Sequence, residues 1–504
     1  MRLFRILQNY GFPLAVLVLG VGLQLVRPYP LVFFQNIVFD QYNRWHPRIE
    51  AGMPVLYVDI DEASLSAIGQ FPWPRNVFAQ MIDRLSQAGA AAIAFDILFT
   101  EPDRTAPEEI LPIWRGLVKN QRNPITWQKL QADISQQINN PDAVLAAAIA
   151  QAPVILPTVI NNASPDIGEK QNPAKPKAGI AVRGVGGAKI GNLPHGQFAL
   201  ASQPAIENAA IGLGAINAHI DRDGIMRRAG LLFRVGEHIY PSLALESLRV
   251  AQGAGSIIAR SSDVRGEGNY FSGAGLSRLK TGDLIVPIEP DGTMRLYFTQ
   301  AQNLQRLSAQ RIIKGDFDSG LIDGKIIFIG TSAAGLKDMR ATPLNPATPG
   351  VELHVQIVQQ LLSGAFLRRP IWLQISEAML VLLAGLGLIM MVHKMPMGAA
   401  FAALLAISAL MAYSSWVAFT QHLVLVDIVA PTASNIAVFL AAAGLKYVRT
   451  SRERQQIRNA FRYYLAPDMV ARLAANPQQL KLGGEIRNLT ILFADIRGFT
   501  AIAE

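Results

Sequence analysis

Residues 371–445 read IWLQISEAMLVLLAGLGLIMMVHKMPMGAAFAALLAISALMAYSSWVAFTQHLVLVDIVAPTASNIAVFLAAAGL. Three apolar runs stand out, at 371–392, 397–419 and 423–445, and the connectors between them are only four and three residues long. A helix needs roughly 20 apolar residues to cross a bilayer core about 30 Å thick, and each run is long enough. Connectors as short as His393-Lys394-Met395-Pro396 and Thr420-Gln421-His422 hold the helices side by side in a tight bundle. This stretch makes the chain a membrane protein.

A fourth apolar stretch, 10–26, follows Arg2 and Arg5 and stops at Arg27-Pro28. A secretory signal peptide has the same outline, but Gly20-x-Gly22 is a poor substitute for an A-x-A cleavage site. The stretch is therefore read as an uncleaved anchor. Composition agrees with lipid exposure. The 504 residues are 50% hydrophobic and 16% charged, where soluble proteins carry about a quarter charged residues. With no cysteine, a disulfide scaffold, a thiolate-ligated zinc or iron–sulfur site and thiol catalysis are excluded.

Charge sets the expected orientation. Residues 446–504 hold ten Lys/Arg against five Asp/Glu, the first ten residues add Arg2 and Arg5, and Lys394 sits in the first connector. Cytoplasmic loops carry the excess of Lys and Arg. Both termini (1–9 and from 446 onward) and the Lys394 turn are thus expected in the cytoplasm, and residues 27–370 outside the membrane. Arg368-Arg369 argues weakly against this. Two carboxylates, Glu377 and Asp427, fall inside the apolar runs. Ionisable groups within a membrane are functional candidates. These two lie one or two turns from the outer helix ends, so the expectation is solvation at the interface; the alternative is that they couple the helices.

The region ahead of the bundle alternates strand and helix signals. Residues 55–60 form a short apolar strand ending near Asp59, with Asp61-Glu62 as a helix cap. Asn76 is a candidate cap for a helix through Ser86, with Val77, Met81, Ile82 and Leu85 at helical spacing. Strands follow at 91–95, 154–156, 231–235, 294–298 and 326–330, and helices at 242–251 and 351–362. Such alternation predicts an α/β sheet with helices on its faces. Residues 163–192, rich in Pro, Gly, Lys and Ala, read as a loop. Asp59, Asp96 and Asp103 sit at or just past strand ends, where an open α/β sheet places its ligand crevice; the competing reading makes them caps and turn residues. The seven histidines show no metal-ligand spacing, and no metalloprotease, nucleophile-elbow or Walker motif is present. The basic residues cluster beside the membrane rather than on a reading element, so no nucleic acid partner is expected.

The segments VLYVDID (55–61), FPWPR (71–75), AFDILFTEPD (94–103), IDRDGIMRR (220–228), YPSLA (240–244) and GKIIFIG (324–330) resemble, in order, the CHASE-type extracellular sensor domain, the second of that numbered series. The resemblance implies an extracytoplasmic α/β sensor at 27–370, inserted between one N-terminal and three C-terminal membrane helices of a bacterial inner membrane protein. Its signal is undefined.

Beyond the last run, residues 446–482 read as a cytoplasmic signalling helix and linker, with Ile457, Phe461 and Tyr464 on one face and a copy of the chain as expected partner; the alternative is a solvated stop-transfer helix that pairs with nothing. LTILFADIRGFT (489–500) then reads as an apolar strand ending in Asp495, followed by a Gly-containing turn. FADIRGFT resembles the first metal motif of class III adenylate/guanylate cyclases, which makes 483–504 the start of an α+β cyclase domain. By that resemblance Asp495 and the Ile496 carbonyl hold magnesium (or manganese), two ions being expected in a complete domain. Phe499 and Thr500 face the triphosphate, and the enzyme is a homodimer. The metals would activate the 3′-hydroxyl and stabilise the pyrophosphate leaving group. The family's remaining catalytic and base-selecting residues fall past Glu504, so these 504 residues alone are expected to be inactive. ATP is the expected substrate, with cAMP and pyrophosphate as products, because adenylate cyclase is the commoner bacterial outcome. The alternative is a membrane-anchored sensor whose cyclase output is degenerate or absent.

Overall fold

Val55-Leu56-Tyr57-Val58-Asp59-Ile60 shows no alternation of polar and apolar residues, and all six are buried. A strand of that kind must be covered on both faces. The computed structural model describes residues 2–49, 52–107, 140–162, 174–184, 190–261, 275–333 and 338–461, with isolated residues at 109, 111 and between 488 and 493. The chain enters through α1 (Arg2–Val26) and α2 (Tyr29–Trp45). It continues through β1 (Val55–Ile60), α3 (Arg75–Gln87), β2 (Ala92–Phe95), α4 (Pro141–Ala150), β3 (Val154–Asn161), β4 (Phe198–Leu200), β5 (Gly212–Ala215), α5 (Leu243–Ala251), β6 (Arg306–Ser308), β7 (Ile326–Thr331) and α6 (Gly350–Ser363). It ends in α7 (Ile371–Lys394), α8 (Met397–His422) and α9 (Val429–Phe461).

The main sheet runs β6-β1-β7-β2-β3, all parallel. The first half of β3 pairs in parallel with β5 and its far end antiparallel with β4. Strand residues alternate between two cores. Leu56, Val58 and Ile60 pack with Phe78, Met81, Ile82 and Leu85 of α3 and with Leu145 and Ile149 of α4. Val55 and Tyr57 face the opposite way, onto Leu243 and Leu248 of α5 and Val351, Val355 and Val358 of α6. The domain is a three-layer α/β sandwich. Each fully buried side chain of this kind contributes about 1.5–3 kcal/mol, so the two helical layers hold the sheet. Gly214 permits one close approach: a β-carbon there would lie 2.5 Å from the Leu243 Cα, which fixes how near α5 comes to β5.

Local signals held in several places. Asp61 caps the helix Glu62–Ile68 by accepting from the Ser64 N–H, and Ser242 caps α5 from the Leu245 N–H. Asn76 does not cap α3. The helix begins at Arg75, two residues earlier than an Asn76 cap would give, behind Pro74, and the free Arg75 N–H is taken by Asp103 Oδ2 at 2.6 Å. A carboxylate from a distant loop thus replaces the local cap, a substitution that neighbouring sequence does not reveal. Of the expected 294–298 strand only Thr293–Arg295 forms. Of the expected 163–192 loop, residues 163–173 and 185–189 lie outside the described residues, and within the rest Gly179–Arg183 forms a strand paired in parallel with Ser256–Ser261; the stretch is not a plain loop.

Three helices, α7, α8 and α9, are long and apolar enough to cross a membrane. The N-terminal stretch differs from a simple anchor: α1 and α2 meet at a 70° bend at Arg27-Pro28, and by length and composition the pair fits either one broken span or a re-entrant loop. The 423–445 run begins its helix only at Val429. Leu423 takes a left-handed conformation (φ 54°), Val424 bridges to Arg368, and Asp427 Oδ1 accepts from the Val429 N–H at 2.8 Å. Hydropathy cannot see that a carboxylate and Pro431 mark a helix start. Once begun, α9 continues for 33 residues, about 50 Å at 1.5 Å per residue, well beyond the hydrocarbon thickness. Small residues allow tight contact within the bundle: Gly385 lies against Leu17 and Gly20 against Ser434.

Candidate sensor cavity and its links to the bundle

The parallel strands end together, and a cavity of about 370 Å³ opens beyond their carboxyl ends. This is where α/β sheets bind ligands, because the strand-to-helix turns diverge there. Asp96 directly follows β2, Ala215 closes β5 and Thr331 closes β7; α6 presents Leu353, His354 and Ile357 from its first two turns. Phe71, Leu98 and Met226 supply apolar wall, while Asn217, Asp338 and Arg340 supply polar wall.

Asp96 was expected at a strand end and does line the cavity. Its side chain is 5% exposed, and His354 Nε2 stands 3.6 Å from its Oδ1. That separation is too long for a hydrogen bond. His354 stacks on Phe328 with ring centroids 5.8 Å apart, and its Nδ1 is buried without a hydrogen-bond partner among the described residues. Asp338 pairs with Arg340 at 3.2 Å. Burial, and then the Asp96 charge, push the Asp338 carboxyl above its ordinary range, against the pull of Arg340 and His354. Sequence reading missed Asp338, Arg340 and His354. The signal that could have found them is position: all three follow β7, whose carboxyl end borders the crevice.

The other two sensor candidates do not join them. Asp59 is fully buried, and its Oδ2 takes the Ser332 hydroxyl at 2.6 Å and Arg306 Nε at 2.7 Å. Burial raises its pKa, with Ser332 and Arg306 opposing. It does not line the cavity. Asp103 accepts from the Arg75 N–H and from both Thr105 donors. It organises a turn, as the competing reading held.

From the cavity wall, contacts lead toward the membrane helices. Met226 donates its N–H to the Ala341 carbonyl at 2.8 Å, which joins it to the strand that carries Arg340. The next residue, Arg227, grips Asp40 of α2 with both Nε (2.7 Å) and Nη2 (2.8 Å). The same guanidinium holds Asp221 and Asp223. Thus the IDRDGIMRR segment ties the sensor domain to the helix that bends away from α1. Aromatic packing reinforces the joint: Tyr42 of α2 sits 5.4 Å from both Trp416 and Phe419 of α8.

Glu377 and Asp427 overturn the expectation of interfacial solvation, since both are only 3% exposed. Glu377 Oε2 accepts from Gln24 of α1 at 2.8 Å and from Arg369 at 2.7 Å. Its Oε1 accepts from the Asp427 N–H at 2.8 Å. Arg369 also donates to the Leu425 carbonyl at 2.8 Å. One carboxylate therefore binds α1, the segment entering α7 and the segment entering α9. A buried charge is retained only when it is paired and hydrogen-bonded, and here the partners come from α1 and from the segments entering α7 and α9.

Asp495, Ile496, Phe499 and Thr500 lie outside the described residues, as does the linker beyond Phe461. Among the described residues no group of three or more His, Asp or Glu side chains is placed to hold a metal ion. In comparisons with known proteins, the model of the CHASE2 domain family matches residues 14–392. Neither the comparison with curated proteins nor that with solved structures gives a match.

Proposed function

The chain belongs to the CHASE2 domain family, and from that premise we propose that it is the sensing and membrane part of a receptor nucleotide cyclase. A small molecule in the cavity beyond β2, β5 and β7 shifts the segment through the Met339–Arg340 strand to Ala341 and with it Met226 and Arg227. The Asp40 grip passes the shift to α2, and the Glu377 junction passes it to α1, α7 and α9. A ligand biases such a device only by binding its two arrangements unequally. The domain at 27–370 faces outside, both termini are cytoplasmic, and the membrane is the bacterial inner membrane.

The observation that carries this reading is α9, a single helix that starts at the Glu377 junction and runs unbroken to Phe461. It links the sensor side of the bundle to the segment leading into FADIRGFT. The output is a class III cyclase acting as a homodimer, converting ATP to cAMP and pyrophosphate with two magnesium or manganese ions. Asp495 and Ile496 are the residues that would hold the metal, with Phe499 and Thr500 beside the triphosphate. In a chain carrying the complete catalytic domain, cAMP formation from ATP with magnesium or manganese is expected, and Asp495→Ala is expected to abolish it. Undiminished turnover in that variant, or none in the parent, would leave the membrane-anchored sensor without a cyclase as the better description.

A further inference from the structure

Taking the cavity as the sensing site, we propose that its ligand is a small organic cation, an ammonium or amidinium on an apolar body. The formal charges in the wall are unequal. Among the described residues Arg340 is already paired with Asp338, which leaves the Asp96 carboxylate with only the His354 ring facing it, at 3.6 Å and not hydrogen-bonded. Among the described residues nothing donates a hydrogen bond to that carboxylate, although its side chain is 95% buried by the 5% that remains exposed. A desolvated carboxylate without donors is costly, and it gains most from a charge-assisted donor. An incoming ammonium supplies one.

A bare divalent ion lacks the ligand set for which it would compete with water, since Asp96, Asp338 and His354 do not converge as a metal site. The rest of the wall fits a carbon skeleton. Phe71, Leu98, Met226, Leu353 and Ile357 line the cavity together with the polar residues. The cavity volume, about 370 Å³, sits at the small end of the roughly 300–1,000 Å³ usual for ligand pockets. The ligand is thus a compact amine rather than a peptide or a lipid.

The test uses the intact protein in lipid nanodiscs and three probes of matched skeleton: 2-phenylethylamine, 2-phenylethanol and phenylacetate, titrated by calorimetry. The amine is expected to bind at least about 10-fold tighter than the alcohol, with phenylacetate weakest. Asp96→Asn is expected to weaken the amine on the order of 10- to 100-fold, the range for a hydrogen bond to a charged group. The same variant should leave the alcohol unchanged, which also reports that it has folded. Equal affinity for the amine in parent and variant, or a preference for phenylacetate, would overturn the cation. Ala218→Trp, which fills the cavity, separates the two levels of the argument. If phenylacetate or the alcohol binds instead and this variant abolishes it, the charge assignment fails while the sensing cavity stands. If no probe binds the parent, both fail.

Discussion

Replacing Glu377 by alanine is expected to weaken the sensor-side end of the helix bundle by about 3–5 kcal/mol, the loss seen when one partner of a buried ion pair is removed. Arg369, whose side chain is 6% exposed, would keep its charge with no carboxylate to neutralise it. The Gln24 amide and the Asp427 N–H would each lose an acceptor. The pairing is not required for stability in itself, because well-packed apolar replacements of a buried pair are often neutral or better. Glu377→Leu combined with Arg369→Leu should therefore recover much of the loss. Denaturant titration in detergent micelles, followed by tryptophan fluorescence, measures all three proteins. A loss below about 1 kcal/mol for Glu377→Ala, the size of an exposed ion pair, would contradict the buried junction.

The second large effect is expected at Arg227→Ala. This guanidinium is 11% exposed and holds carboxylates that are 7%, 12% and 14% exposed. Without it, Asp40 and Asp223 lose their cation and Asp221 keeps only Arg228, 3.1 Å away, at a cost again of about 3–5 kcal/mol. α2 should then detach from the sensor domain, and spin-label distances between α2 and β1 should broaden. Arg227→Lys keeps the charge but not the planar fork, so it should rescue the interaction only in part. The effect also depends on pH. Arg227 holds Asp223 below its ordinary pKa chiefly through their hydrogen bond. That stabilisation is present above the ordinary carboxylate range and is lost as pH falls through the lowered value. The gap between parent and variant should accordingly narrow on acidification and remain constant near neutrality. Neighbouring Arg228, 29% exposed, should cost less than about 1 kcal/mol on truncation.

Much of this architecture was legible in the chain, and where it was not the reason is physical. β1 and β7 announced themselves as unbroken apolar runs, because a parallel strand covered on both faces needs no alternation. The three C-terminal helices followed from length and hydropathy, and the strand-end rule pointed to Asp96, which lines the cavity. Three features escaped. α2 was invisible because its sequence, YPLVFFQNIVFDQYNRW, mixes a membrane-like first half with a polar second half, and its bend depends on Arg27-Pro28. The start of α9 was misplaced by six residues, since Leu423 to Ile428 are apolar enough to pass as helix. The Glu377 junction was read only as the alternative, that the two carboxylates couple the helices, and its partners could not be named because they lie 353, 8 and 50 residues away. The same holds for the cavity. His354 and Asp96 meet only because β7 lies beside β2 in the sheet, which places the loop after one next to the end of the other.

Everything in the receptor scheme depends on the sensor domain and the FADIRGFT end occupying opposite sides of one bilayer. Because the chain contains no cysteine, a single introduced thiol gives an unambiguous report. Glu237→Cys, in an exposed turn of the sensor domain, and Ser451→Cys, on the exposed far part of α9, can be treated with a membrane-impermeant maleimide in intact spheroplasts. The account predicts that the thiol at 237 is labelled directly and the thiol at 451 only after permeabilisation; labelling of both before permeabilisation, or of neither, would contradict it.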